Sequence, residues 1–323
     1  FVIAEIGNNH NGDIKLAKKL VDLAIESGAD CIKFQLRDLG SLYKNNGSID
    51  DNTADLGAQY VLDLLSRFQL KNEELLEVFD YCKAKGGLPL CTPWDLNSLN
   101  ILEDYGMNAY KVSSADLTNS ELLEALAKTG KPLICSTGMS TEFEIKRAIQ
   151  FFHDTQTPFI LLHCNSTYPT PYRDVNLRYM KRLKELSGNL VGYSGHERGF
   201  ITPVIAVGLG AKIIEKHFTI DKDMEGNDHN VSLLPDEFAD MVKQIRLTEE
   251  VLGDDRVRTI TQGESINREV MAKSLVTNQN IKKGNIITRE MIEVKSPGQG
   301  LQPYLIDKLL GIKAKRDFLS GDY

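Results

Sequence analysis

The chain of 323 residues lacks any apolar run approaching the roughly 20 residues needed to cross a bilayer, which argues against a membrane protein. Positive charge is also in short supply. Lysine and arginine number 38 against 45 aspartates and glutamates, a formal balance of −7. That deficit argues against a nucleic-acid partner held through its phosphates, although a local lysine cluster still suits a small anion. The five cysteines (Cys31, Cys82, Cys91, Cys135, Cys164) are odd in number and have no C-x-x-C spacing. Four lie in or at the end of strand-like runs, so buried free thiols in a reducing, cytoplasmic compartment are expected. The single tryptophan, Trp94, reads as a packing residue. With 41% apolar and 26% charged residues, the composition is that of an ordinary globular protein.

What the chain does have is a repeated pattern: short apolar runs that end in a chemically usable residue. Eight occur in order: 1–5, 31–35, 88–92, 109–114, 132–136, 159–163, 190–196 and 212–217. Amphipathic stretches with helical spacing lie between them, for example Leu16, Leu20, Leu23 and Ala24, or Leu122, Leu123, Leu126 and Ala127. Capping residues open several (Asn119-Ser120-Glu121, Ser140-Thr141-Glu142), and turns such as Tyr105-Gly106-Met107 close them. Runs starting about 20 to 30 residues apart are βα units. Eight of them predict a (β/α)8 TIM barrel with its site at the C-terminal strand ends. One interval, Leu39 to Asn72, is long and begins polar, which predicts a β2–α2 insertion acting as a lid.

The barrel pattern ends near Gly253, giving a barrel domain over 1–253. Residues 254–269 read as a charged, turn-rich linker. Residues 270–323 read as a small, mostly β domain, with alternating runs at Ser274-Leu275-Val276-Thr277 and Ile292-Glu293-Val294-Lys295. A core that small is marginal by itself, so docking on a barrel is expected.

Two histidines, His196 and His217, end the seventh and eighth runs. Neighbouring barrel strands bring such ends together, and two neutral imidazoles suit a divalent transition metal; hydrogen-bonded core histidines are the plainer reading. Lys33 and Lys111 sit in otherwise apolar runs, where a lysine needs a partner. An anionic ligand cradled with Thr92, Ser113, Ser114, Ser136 and Ser194 is one explanation; pairing with Glu5, Asp116 or Glu215 is another. A lone lysine nucleophile of the Schiff-base type is a third. Glu5 is placed for acid–base work. The loop after the sixth run carries Ser166 and Tyr168; the tyrosine either presents a hydroxyl to a sugar or packs. His10, His153 and His229 have no such placement and read as surface or loop residues.

Taken together, these motifs resemble the sialic acid synthase family, which includes N-acetylneuraminate, legionaminic, pseudaminic and spore-coat nonulosonic acid synthases. The resemblance rests on Ala4-Glu5-Ile6-Gly7-Asn8-Asn9-His10-Asn11-Gly12, Lys33-Phe34-Gln35, Lys111-Val112-Ser113-Ser114, Ser136-Thr137-Gly138-Met139, Tyr168-Pro169-Thr170-Pro171, Tyr193-Ser194-Gly195-His196 and Glu215-Lys216-His217-Phe218-Thr219. The last fifty residues resemble its antifreeze-like (SAF, β-clip) domain through Ile281-Lys282-Lys283-Gly284 and Pro297-Gly298-Gln299-Gly300. The resemblance implies condensation of phosphoenolpyruvate with an N-acetylated mannose-type amino sugar in a domain-swapped homodimer. It places Lys33, Thr92, Lys111, Ser114, Ser136 and Ser194 on phosphoenolpyruvate. His196 and His217 fall on a divalent metal, manganese before magnesium or cobalt. Glu5, Gln35, Asp116, Ser166, Tyr168 and Asp228 fall near the sugar. The chain departs from the family pattern at Gly195, where an aspartate is common, at Ser296, where an arginine is common, and at Asp116 in place of glutamate. A Schiff-base aldolase and a non-catalytic carbohydrate-binding relative are the competing readings.

Overall fold

In the computed structural model, residues 1–42 and 56–323 are described; of the insertion predicted as a lid, Leu39 to Asn72, residues 43–55 lie outside them. Two compact units are present, Phe1–Gly253 and Asp254–Tyr323. In the first, strands β1 (Val2–Gly7), β2 (Cys31–Leu36), β3 (Pro89–Pro93), β4 (Tyr110–Val112), β5 (Leu133–Ser136), β6 (Phe159–Cys164), β7 (Val191–Gly195) and β8 (Ile214–His217) form a closed barrel in sequence order. Neighbouring strands pair in parallel, and β8 closes on β1 with Glu5 opposite His217. Helices follow the strands, and several begin where capping residues stand. Asn119 accepts from the Leu122 amide ahead of Ser120–Lys128, and Thr141 forms a capping box with Glu144 ahead of Glu142–Asp154. Gly106 ends Leu96–Tyr105 in the left-handed conformation.

The two-residue period of a strand divides the barrel side chains into two sets. Outward residues such as Ala4, Phe34, Tyr110, Cys135 and Leu161 pack against the helices in the main core. Inward residues Ile3, Cys31, Leu90, Ile134 and Leu162 form a separate plug inside the barrel. Two positions further along four of these strands the inward residue becomes polar: Glu5, Lys33, Thr92 and Ser136 stand above Ile3, Cys31, Leu90 and Ile134. The apolar plug is therefore the floor of the site.

The second unit begins earlier than the linker reading implied. Helix Gln262–Met271 starts inside the 254–269 stretch, capped by Thr261 and Glu264. Two antiparallel strands, β9 (Ser274–Thr277) and β10 (Ile292–Lys295), then pair over a small core of Leu275, Ile281, Ile287, Ile292 and Ala314. All five cysteines are buried free thiols. Among the described residues, no helix is long and apolar enough to cross a membrane.

Within the barrel, Gly192 is required by space. A Cβ there would collide with the Ile213 carbonyl and the Leu162 side chain. Gly192→Ala is expected to lower the unfolding free energy by about 1–3 kcal/mol, the usual cost of overpacking. Urea titration checks this, and an unchanged midpoint would contradict the packing assignment.

Candidate active site at the strand ends

The strand ends surround a cavity of about 570 Å³. Its base is a buried charge cluster. The Lys33 ammonium lies 2.8 Å from Glu5 Oε2 and 3.8 Å from Glu215 Oε1, and donates to Thr92 Oγ1 at 3.2 Å. The Lys111 ammonium donates to Ser136 Oγ at 2.7 Å and lies 3.8 Å from the same Glu215 oxygen. Ser194 Oγ donates to that oxygen at 3.2 Å. Glu215 Oε2 is buried with no hydrogen-bond partner.

Burial and mutual charge pull these groups in different directions. Burial pushes the Glu5 carboxyl up; Lys33 opposes this and Glu215 adds to it, and the balance lies above the usual range. Burial also acts on Glu215, but Lys111 and Lys33 oppose it most strongly, and that carboxyl lies below its usual value. The cluster thus moves the two carboxyls in opposite directions, Glu215 down and Glu5 up, while Glu5 stays 2.8 Å from the Lys33 ammonium. Two carboxyls driven apart in this way suit separate acid and counter-ion roles. Burial works against the Lys33 ammonium, yet Glu215 and Glu5 hold its pKa above normal. For Lys111 burial dominates and lowers it, with Glu215 opposing.

On one wall the rings of His196 and His217 stand 5.4 Å apart. His196 Nδ1 donates to the Asn165 carbonyl at 2.8 Å, and Nε2 lies 2.9 Å from the Tyr168 hydroxyl. His217 Nδ1 is buried with no hydrogen-bond partner, 3.8 Å from Asp228 Oδ2. Burial, reinforced by His196 and Lys33, holds His217 well below the ordinary imidazole range, so it is neutral with a lone pair to offer. His196 is thus oriented by the Asn165 carbonyl on one nitrogen and meets the Tyr168 hydroxyl with the other, while the unpartnered nitrogen belongs to His217. No third His, Cys, Asp or Glu completes a cluster among the described residues, so any metal here would keep open positions.

Next to His196, across the Cys164 thiol, Ser114, Gly138 and Ser166 meet. The Gly138 amide donates to Ser114 Oγ at 3.1 Å, and a Cβ on Gly138 would lie 2.7 Å from that oxygen and run into Ser166 Oγ. The sequence-predicted residues Gln35, Tyr168 and Asp228 also line the cavity. Gln35 donates to Glu5 Oε1 at 2.5 Å. Asp116 does not line it: its carboxylate accepts from Ser113 Oγ at 2.6 Å and Asn119 Nδ2 at 3.1 Å, which turns it away.

Trp94 packs under the Arg37 guanidinium, 4.2 Å over its ring, and also lines the cavity. His10 and His229 lie in loops, as expected, but they are buried and not at the surface. His229 bridges Thr219 Oγ1 at 2.7 Å and Asn11 Oδ1 at 3.0 Å, joining the loops after β1 and β8. Arg37 was missed, although it continues the inward line Lys33, Gln35, Arg37 at two-residue spacing. Leu64 and Phe68, also on the cavity wall, come from helix Leu56–Phe68, and no local motif marks them.

A (β/α)8 barrel with acid, base, ammonium and imidazole groups converging at its strand ends is the architecture of an enzyme. The chain matches the NeuB family over residues 20–257 and the SAF domain over 272–323. It is 36% identical to the N,N'-diacetyllegionaminic acid synthase of Campylobacter jejuni, covering 98% of this chain and 96% of that one. It is 34% identical to human N-acetylneuraminate-9-phosphate synthase, covering 97% and 88%. Among solved structures, the N-acetylneuraminic acid (sialic acid) synthetase of Leptospira borgpetersenii superposes with a TM-score of 0.75 at 34% identity, covering 83% and 89%. The chain belongs to the NeuB, or sialic acid synthase, family and is an enzyme.

His10 generates a pH prediction. It is buried, accepts the Gly12 amide at Nδ1 (3.1 Å), and burial lowers its pKa to about 4, with Asp13 opposing. Between pH 6.5 and 4 the unfolded chain therefore binds the extra proton. The stability from neutral His10 is complete above 6.5 and is lost as pH falls toward 4. The difference in unfolding free energy between wild type and His10→Gln is expected to shrink by on the order of 3 kcal/mol across that window. Parallel stability–pH curves would contradict it.

Proposed function

We propose that the enzyme condenses phosphoenolpyruvate with an open-chain N-acetylmannosamine-type sugar. The products are a nine-carbon 2-keto-3-deoxy acid and inorganic phosphate. The observation that carries this reading is the pair of buried ammoniums, Lys33 and Lys111, set in hydroxyls at the cavity base. A phosphate ester bearing a carboxylate needs such a set. Ser114, the Gly138 backbone and Ser166 extend it on one side. In this reading C3 of the enol attacks the sugar aldehyde. Glu5, which burial inclines to hold a proton, delivers it to the aldehyde oxygen as the C–C bond forms. Water then adds at C2, and phosphate leaves from the tetrahedral intermediate with cleavage of the C–O bond.

The residues present fit a divalent metal on His196 and His217, Mn2+ before Mg2+ or Co2+: two neutral-capable imidazoles, one with an orphaned buried nitrogen. When bound, it would supply Lewis-acid polarisation of the aldehyde. Gln35, Tyr168 and Asp228 face the acceptor. The apolar side chains of Leu64, Leu65 and Phe68 on the outer wall favour a sugar with deoxy or acetamido substituents at its far end. A cytoplasmic, domain-swapped homodimer is part of the proposal. Five reduced cysteines support the compartment, and exposed Val257, Ile260, Ile266, Val270 and Met271 around the start of the second unit support burial by a partner.

A phosphate-release assay with phosphoenolpyruvate, Mn2+ and a panel of acetamido sugars tests the reaction. Release with no member of the panel would overturn it and favour a non-catalytic carbohydrate-binding role. His217→Ala is expected to abolish turnover, and chelation of the wild type to do the same. Lys111→Ala is expected to raise the KM for phosphoenolpyruvate roughly 10–100-fold, the worth of a charged hydrogen bond. The buried, pKa-lowered Lys111 also suits a Schiff-base aldolase. Borohydride treatment with pyruvate decides between them, and an adduct at Lys33 or Lys111 would refute the synthase mechanism.

A further inference from the structure

The outward positions of β7 and β8 carry an ion pair that the chemistry above does not use. Lys216 and Glu197 are each 0% exposed, within the layer between barrel and helices. Lys216 Nζ donates to Glu197 Oε1 at 3.1 Å and to the Glu197 backbone carbonyl. The Tyr193 hydroxyl donates to Glu197 Oε2 at 2.5 Å. All of these groups are satisfied by one another.

The placement of this cluster is specific. Glu197 directly follows His196, and Lys216 directly precedes His217. The last rung of the β7–β8 ladder pairs Gly195 with Lys216; beyond it the chains have no regular pairing to each other. The lysine spans the gap, holding both backbone and carboxylate of the residue after His196. Gly195 makes room for this. A Cβ there would stand 2.6 and 2.9 Å from the Glu197 carboxylate oxygens and 2.7 Å from the Tyr193 ring. The carboxylate of Glu197 thus fills the space in front of a position that has no side chain.

Energy does not explain the pair as a fold stabiliser. Taking two charges fully out of water costs several kcal/mol each, and apolar replacements of buried pairs are often neutral or stabilising. A buried pair that joins the backbones beside two converging side chains acts on their separation. We propose that Lys216 and Glu197, with Tyr193, form a cross-strand clamp that sets the spacing of the His196 and His217 imidazoles for a metal ion. They are positioning residues that face away from the cavity. The inference rests on the histidine pair being a metal site.

The test is Mn2+ titration, followed by electron paramagnetic resonance, of the wild type, Glu197→Leu/Lys216→Met, Gly195→Ala and Tyr193→Phe, with thermal unfolding of each. The paired apolar variant is expected to keep the wild-type melting temperature within a few degrees while its Mn2+ affinity falls roughly 10–100-fold, the usual effect of losing an outer support of a metal ligand. Gly195→Ala, which displaces the carboxylate without removing a charge, is expected to lose affinity as well, and Tyr193→Phe to lose less. Wild-type Mn2+ affinity in every folded variant would overturn the clamp. Absence of Mn2+ binding by the wild type itself would overturn the metal reading, and the clamp with it; the wild-type titration separates the two failures.

Discussion

One carboxylate oxygen, Glu215 Oε1, is shared by two buried ammoniums at 3.8 Å and by the Ser194 hydroxyl at 3.2 Å. At about 4 Å and an effective permittivity near 20, each attraction is worth about 4 kcal/mol, comparable to the several kcal/mol needed to desolvate each ion. Burying these ions thus costs energy that their attractions offset only in part, so the cluster is no evident stabiliser of the fold. It sets Lys33 and Lys111 beneath the cavity, and Glu5 is the carboxyl of the pair whose pKa is raised. The rest of the barrel serves this layer. The Ile3, Cys31, Leu90, Ile134 and Leu162 plug closes off the floor, so the charges face one way only.

The same two-residue alternation gives β8 a second assignment. Glu215 and His217 point into the cavity, while Lys216 between them points into the helix layer and meets Glu197. One short strand thus carries the counter-ion of the two buried lysines, one imidazole of the histidine pair and the outward lysine. A change at Lys216 is expected to be felt at its neighbours through the backbone, without any contact to a ligand. The Gly195 departure from the family pattern acquires a physical reason here, because a larger residue would displace Glu197.

Much of this was legible in the chain because each inward residue announces itself as a polar residue ending an apolar run. That signal located Glu5, Lys33, Thr92, Lys111, Ser136, Ser194, His196 and His217, and the barrel that brings them together. It failed where position depends on something other than strand period. Asp116 lies in a short 3-10 turn after β4, where local hydrogen bonds to Ser113 and Asn119 turn its carboxylate away. His10 and His229 sit in loops that fold inward over the barrel, and burial of a loop depends on contacts more than 200 residues apart in sequence, such as His229 to Asn11. Leu64 and Phe68 reach the cavity from an inserted helix whose apolar face looks like any other. Glu197 carries no local mark at all; only the pairing of β7 with β8 brings it to Lys216.

In the proposed reaction the lysine–hydroxyl base holds a phosphate ester that departs with its bridging oxygen. Phosphoenolpyruvate labelled with heavy oxygen at the bridging position, turned over with an accepted sugar and analysed by mass spectrometry, tests this directly. The label is expected in inorganic phosphate; label retained in the keto acid would contradict C–O cleavage.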